Sequence, residues 1–371
     1  MEAIFCFLFF HFFRVGVTKE NVTLPPDTEY RIPDNVLDGL ESEQDVATRI
    51  RSMQDLTQIV RSQRLQGHAV ELLWVKVQDL AKGSGEQQQN EARRECWHFL
   101  EALIRGQFDQ LDIMRAEFFR LIKTGGVQDQ SAETLPQRIQ LLDALTQRGE
   151  KILHFEDEIG PLTQKLWPFV LASGNKDILV LMLKININLL KYNSSYVDTE
   201  VLVSFIVAFS NICGNGRPED IKLCLNCLDA IICYNHIPKE GLFAFVCLIS
   251  RVVNREEHCT EAWRIAKNLM GTHLGHSALY CLCQILQIPD FKRDVALIRG
   301  AVFFVGMALW GSQRVKNLDT YSAMTIMPTF RSALDCKHQN VLFEVILQTE
   351  RMVTKHSTKM KAPGMLSLTV N

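Results

Sequence analysis

Two clusters among the 371 residues have types and spacing that could do chemistry. Cys224 and Cys227 form a C-x2-C pair, Cys233 follows six residues on, and Cys281 and Cys283 form a C-x-C. Thiolates so spaced hold zinc when four ligands converge from knuckle-like turns. Here the first pair lies inside IKLCLNCLDAIICY, where Leu223, Cys227, Ala230 and Ile231 continue an apolar stripe. In that setting thiols act as small hydrophobes, so core packing is the favoured reading. The second cluster is GTHLGHS, Gly271 to Ser277. A glycine-rich turn that opens a helix offers its N–H groups to an anion. His273 and His276 stand three apart, a spacing two metal ligands can share. However, no P-loop lysine follows, no strand precedes, and no nearby carboxylate completes a facial metal set. The preferred reading is an inter-helix turn in which glycine supplies positive φ and Thr272 or Ser277 caps a helix. Small-molecule or metal binding at Gly271–Ser277 is the alternative, which metal analysis of the protein would separate. No G-x-S-x-G elbow supports a Ser/His/Asp triad. The charge run EARRE at 91–95 reads as a solvated helix face.

The elements that must position these residues are helices. Val46, Ile50, Met53, Ile59 and Val60 recur at three- and four-residue steps, which places them on one helical stripe. The spacing returns in Cys96, Phe99, Leu100, Leu103 and Ile104, and in Ile159, Leu162, Leu166, Phe169 and Val170. Ile178 to Leu190 is the one stretch that tempts a strand reading, but it is too long and carries Lys184, Asn186 and Asn188. Turn residues group the helices into pairs predicted to start near 45, 86, 133, 175, 217, 257 and 293, with a lone helix from about 338. HEAT and armadillo repeats run about 40–47 residues, so the pattern predicts an all-α, right-handed α-solenoid of HEAT/armadillo-like helix pairs. RGAVFFVGMALWG, Arg299 to Gly311, reads as a buried helix whose Gly300, Gly306 and Gly311 permit close packing. The last helix carries Val341, Leu342, Val345, Ile346 and Val353, an apolar set that wants partners on both sides. Since natural solenoids end in polar caps, the chain reads as a piece of a longer array.

The domains expected are a tail and linker over 1–44, a solenoid over 45–355 and a C-terminal tail over 356–371. The apolar run from Ala3 to Phe10 is far shorter than the roughly 20 residues of a membrane span. Acidic Glu2 and the absence of a small-residue cleavage site argue against a signal peptide. An anchor at residues 3–13 is a third reading, testable by fractionation. Asn21-Val22-Thr23 and Asn193-Ser194-Ser195 are glycosylation triplets that matter only in a secreted chain. A net charge of −2, from 40 basic and 42 acidic residues, gives no electrostatic reason to expect nucleic acid. Eleven scattered cysteines read as reduced, intracellular thiols, so a cytoplasmic location is expected.

Three blocks are more specific than a helical pattern. NLMGTHLGHSALY (Asn268 to Tyr280), LIRGAVFFVGMALWG (Leu297 to Gly311) and LDAIICYNHIP (Leu228 to Pro238) resemble the N-terminal region of the tuberin family. Weaker matches lie at GHAVELLW (Gly67 to Trp74) and RAEFFRLIK (Arg115 to Lys123), so the resemblance covers about residues 45–355 in order. It implies a cytoplasmic, non-catalytic scaffold that assembles with a hamartin-like protein. That complex activates GTP hydrolysis by a Rheb-like GTPase and restrains TOR signalling. In the family, activation depends on a separate C-terminal domain that nothing here matches, so no catalytic residue, cofactor or metal is carried over. Gly271, His273, Gly275, His276, Arg299, Gly300 and Trp310 are signature residues of these blocks and are expected to be structural.

Overall fold

The computed structural model describes residues 29–83, 87–124, 134–234, 237–310 and 323–356. Among these residues the fold is all-α, built of packed helix pairs in a solenoid-like manner, with one isolated bridge, Tyr30 to Leu65, and no strand. Helices open at Val46, Gln87, Leu135, Lys176, Pro218, Cys259, Val295 and Gln339, each within two residues of a predicted start. Short polar side chains fix several helix starts by taking N–H groups that lack intrahelical partners. Asp45 accepts from the Thr48 amide at 3.0 Å, Asp198 from Val201 at 2.9 Å and Asp294 from Leu297 at 2.9 Å.

The chain divides into two compact units, Met1–Met114 and Arg115–Asn371. The first contains α1 (Asp34–Asp38), α2 (Val46–Ser62), α3 (Ala69–Lys82) and α4 (Gln87–Gly106). Within the stretch read as tail and linker, residues 29–44 hold buried Ile32 and Leu40 and the short α1. The inward stripe of α2 is Arg49, Met53, Leu56 and Val60, so an arginine stands where an aliphatic residue was expected. Arg49 is 4% exposed. Its guanidinium donates to the Leu40 and Lys76 carbonyls at 3.1 and 2.9 Å and to both Asp79 oxygens at 2.7 Å. A buried cation is tolerated only when paired and hydrogen-bonded in this way. Arg93, inside the run read as solvated, is also buried, because its helix turns that position toward the core.

The second unit contains α5 (Met114–Thr124, whose first residue belongs to unit one), α6 (Leu135–Thr146), α7 (Glu156–Ser173), α8 (Lys176–Tyr192), α9 (Thr199–Asn215), α10 (Pro218–Tyr234) and α11 (Lys239–Val252). It continues with α12 (Cys259–Met270), α13 (Gly275–Gln287), α14 (Val295–Trp310), α15 (Ala323–Ala333) and α16 (Gln339–His356). Helices α6, α8, α10 and α12 pack in succession, as do α7, α9, α11, α13 and α15. This next-but-one packing is how stacked repeats bury a shared core. The first row then shifts, since α14 lies against α11 and α13, and α16 lies on α14. Gly300 permits that shift: a Cβ there would collide with the Ser250 carbonyl of α11. Gly306 similarly leaves room for the Gln348 side chain.

A recurring joint holds these packings together. In each case a glycine meets a carbonyl of another helix while a side-chain amide binds carbonyls beside it. Gly106 abuts Val60, and the Gln107 amide donates to Val60 and Gln63 carbonyls at 2.8 and 2.7 Å. Gly149, at φ 92°, abuts Ile185, and Asn193 donates to the Gly149 and Glu150 carbonyls at 2.8 and 3.1 Å. At Gly300 the amide is Asn254, which donates to Ser250 and Ala296 carbonyls at 2.9 and 2.7 Å. The glycosylation-like Asn193 is thus committed to structure. The first triplet, the Ala3–Phe10 run and the 357–371 segment lie outside the described residues.

Candidate interaction site

The cysteine pair sits in mid-helix on α10, with Cys224 and Cys227 fully buried. The Cys227 thiol donates to the Leu183 carbonyl of α8 at 3.7 Å. Burial pushes both thiols well above the ordinary range, which disfavours the thiolate needed for metal binding or nucleophilic attack. Cys247 and Cys283 are likewise pushed up to about 11 by burial. Among the described residues no three His, Cys, Asp or Glu side chains group as a metal site, and ten cysteines are free of disulfides.

The Gly271–Ser277 turn departs from the expected geometry. Gly271 ends α12 at φ −80°, and Gly275 begins α13 without positive φ. Glycine is required at 275 for space instead, since a Cβ would collide with the Met270 carbonyl. Thr272 does not cap the helix; its hydroxyl accepts from the Leu274 amide at 3.2 Å and donates to the Leu269 carbonyl at 2.7 Å. Leu274 occupies the N-cap position without a side-chain hydrogen bond. His273 is exposed and lines a cavity of about 250 Å³ with Cys233, Tyr234 and Leu269, while half-buried His276 lies on α13 outside that lining.

Arg299 and Gly300 occupy adjacent positions on α14 with different surroundings. Gly300 faces α11, whereas the Arg299 Nε donates to Glu344 of α16 at 3.4 Å. Glu344 is buried and also accepts from Gln348 Nε2 at 2.7 Å. Trp310 closes α14, and its side chain lies outside the described residues. Beside the Arg299–Glu344 pair is a groove of about 160 Å³. Its floor is Val253 and Asn254 at the end of α11, and Cys259 of α12 forms one edge. Phe303 of α14 and Leu347 and Arg351 of α16 complete it. Trp263 and Lys267 follow Cys259 at successive four-residue steps on α12, with the Lys267 ammonium 4.8 Å from the Trp263 ring centroid. Sequence reading missed this groove, because it depends on the shift in the first helix row.

Helix α16 presents a second apolar feature. Val341 and Val345 are buried, while Leu342, Phe343 and Ile346 are 47%, 63% and 57% exposed. The set expected to want partners on both sides therefore has its cover on one side among the described residues. No described helix is long and apolar enough to cross a membrane.

Comparison with known proteins agrees with this architecture. The chain is 25% identical over 295 residues to the tuberous sclerosis 2 protein homolog of Schizosaccharomyces pombe, a match covering 74% of this chain and 21% of that protein. It therefore spans about a fifth of the curated relative's length. The solved structure of the TSC2 N-terminus overlays with a TM-score of 0.73 at 16% identity, covering 90% of this chain and 91% of that one. At that identity the overlay establishes the fold. The resemblance to the N-terminal region of tuberin thus stands in both sequence and architecture. The family model described as Domain of unknown function (DUF3384) matches residues 46–365, and the chain belongs to that family.

Proposed function

We propose that residues 45–355 form the N-terminal, HEAT-like scaffold of a tuberin-like GTPase-activator subunit. The scaffold assembles with a hamartin-like protein in the cytoplasm, in a complex that acts on a Rheb-like GTPase and restrains TOR signalling. The observation that carries this reading is the colinear similarity to a tuberous sclerosis 2 homolog over most of the helical array. Stacked helix pairs suit such a role because they expose long binding surfaces without a catalytic constellation. In this reading Gly271, His273, Gly275, His276, Arg299, Gly300 and Trp310 serve structure, and GTPase activation belongs to a separate domain.

Two measurements test it. The purified chain should retain a hamartin-like protein in a co-purification assay. GTP hydrolysis by a Rheb-like GTPase should be the same with and without the chain. A tenfold stimulation, equal to about 1.4 kcal/mol of barrier, would reveal catalytic groups in these helices and overturn the non-catalytic assignment.

A further inference from the structure

We propose that the turn edge of the second unit, where Tyr192, Tyr234 and His273 stand on successive repeats, binds a proline-rich segment of a partner protein in the polyproline II conformation. This site goes beyond the assembly reading above and does not depend on it. Tyr192 is the last residue of α8 and Tyr234 the last of α10, while His273 lies in the turn that follows α12. These three helices pack in succession, so the three rings follow one edge at steps of one helix-to-helix distance. Tyr192 and Tyr234 are 64% and 42% exposed. Tyr192 is near enough to act electrostatically on the Tyr234 hydroxyl, and Tyr234 and His273 line one cavity of about 250 Å³. Ile232, Ile237, Leu269 and Leu274 give that cavity its apolar walls. His273 thus lines the cavity while keeping its place in the turn.

Spacing, charge and size name the occupant. Packed helices stand about 8–10 Å apart. A polyproline II helix turns once in three residues, about 9 Å, so a proline at every third position meets one ring per turn. An α-helix, with its pitch of about 5.4 Å, keeps no such register. An added β-strand has nothing to pair with, since the described residues form no strand. The cavity lining contains no Asp, Glu, Lys or Arg, so it suits an uncharged segment. A cavity of about 150 Å³ accepts a benzene ring, so 250 Å³ holds a pyrrolidine ring with part of its neighbour. Burial, with Cys233 and Tyr192 nearby, pushes the Tyr234 pKa above its ordinary 10.0. Its hydroxyl therefore stays protonated at neutral pH and can donate to carbonyls, which a polyproline II segment leaves without internal partners. Such a segment is ordered before it binds, which lowers the entropic cost of docking on aromatic rings.

The test uses the full chain with fluorescein-labelled decaproline and a labelled glycine-serine peptide of the same length. Anisotropy should show decaproline binding at least tenfold tighter, with little change as salt is raised, because the lining carries no charge to screen. Tyr192→Ala and Tyr234→Ala should each weaken decaproline about fivefold while leaving the circular dichroism spectrum unchanged. Tyr234→Phe, which keeps the ring and removes the donor, should weaken it less. Tyr280→Ala, at another exposed tyrosine on α13, should leave binding as it was. Exposed Cys233 lines the cavity, so bound decaproline should slow its alkylation by iodoacetamide, read by mass spectrometry on the wild-type chain. Equal binding of the two peptides, indifference to both tyrosine-to-alanine changes, or unchanged Cys233 alkylation would each overturn the site. An equal loss from Tyr280→Ala would overturn it too, by showing adhesion to any exposed tyrosine. Should Tyr234→Ala fail to fold, Tyr192→Ala and Cys233 protection decide the matter between them.

Discussion

The joints at Gly106 and Gly300 use one device in two settings. At Gly106 the amide comes from the next residue, Gln107, which is 2% exposed and also accepts from the Leu65 amide at 3.0 Å. It closes the carbonyl ends of α2 and pins the turn after it. At Gly300 the amide belongs to the opposite helix: Asn254 lies four residues beyond Ser250 and reaches across to Ala296. Buried Ser250 Oγ has no hydrogen-bond partner there, and α14 contributes an apolar surface. The lesson is that the repeats keep a steric and hydrogen-bonding solution while changing the residue that supplies each part. Both joints combine a close glycine–carbonyl approach with amide–carbonyl bonds; the first adds a bond accepted from the Leu65 amide, and the second sets the approach within a strongly apolar helix.

The largest expected effect comes from removing that proximity. Gly300→Val places branched atoms against the Ser250 carbonyl, where no flexible side chain can yield. Overpacking of this kind costs about 3 kcal/mol or more, well beyond the few tenths regained from helix propensity. Urea denaturation should show the loss as a lowered midpoint, and an unchanged midpoint would mean that α14 can slide along α11 freely.

A smaller effect should distinguish the two amides. Gln107→Ala leaves the Val60 and Gln63 carbonyls and the Leu65 amide without their side-chain partner, a cost of about 2–3 kcal/mol. Asn254→Ala removes the donor to the Ser250, Arg251 and Ala296 carbonyls in a half-buried site, at about 1–2 kcal/mol. Denaturant midpoints for both variants test the order. The reverse order would place the polar weight in the second unit.

The smallest effect is the response to acid. Burial acts to raise the Asp79 pKa, but hydrogen bonds and charge from Arg49 outweigh it and hold the carboxyl below its usual 3.8. A depressed folded pKa gives stability that is present above the unfolded value and lost as pH falls through the folded one. Lowering pH below about 4 should therefore weaken the first unit. The effect is modest because the carboxylate is half-exposed and solvent screens it. Asp79→Asn should flatten that limb in thermal melts from pH 5 to 2, and an equally steep limb would assign the acid response to other carboxylates.

Much of the architecture is legible from apolar spacing and turn residues. Cys96, Phe99, Leu100, Leu103 and Ile104 are all buried, as a 3.6-residue period requires. The Asp45, Asp198 and Asp294 caps are local, so their chemistry marks the helix starts directly. Periodicity could not identify Arg49 as a core residue, because its place depends on Asp79 thirty residues away and on two distant carbonyls. The Gly271–Ser277 turn differs in mechanism from what its residue types suggest. A glycine needed for space and one needed for positive φ look identical in a sequence, and only the Met270 carbonyl beside Gly275 separates them.

The sequence by itself determined an all-α chain, its helix starts and its resemblance to the tuberin N-terminal region, since each is written in local pattern or contiguous blocks. Tertiary structure alone decided that α14 would leave the first row, that Gln107, Asn193 and Asn254 would bind carbonyls at the joints, and that a groove would open beside Arg299. These features join residues some 40 or more positions apart. Their geometry follows from how closely two backbones approach, a distance fixed by packing between helices and not by the period within any one of them.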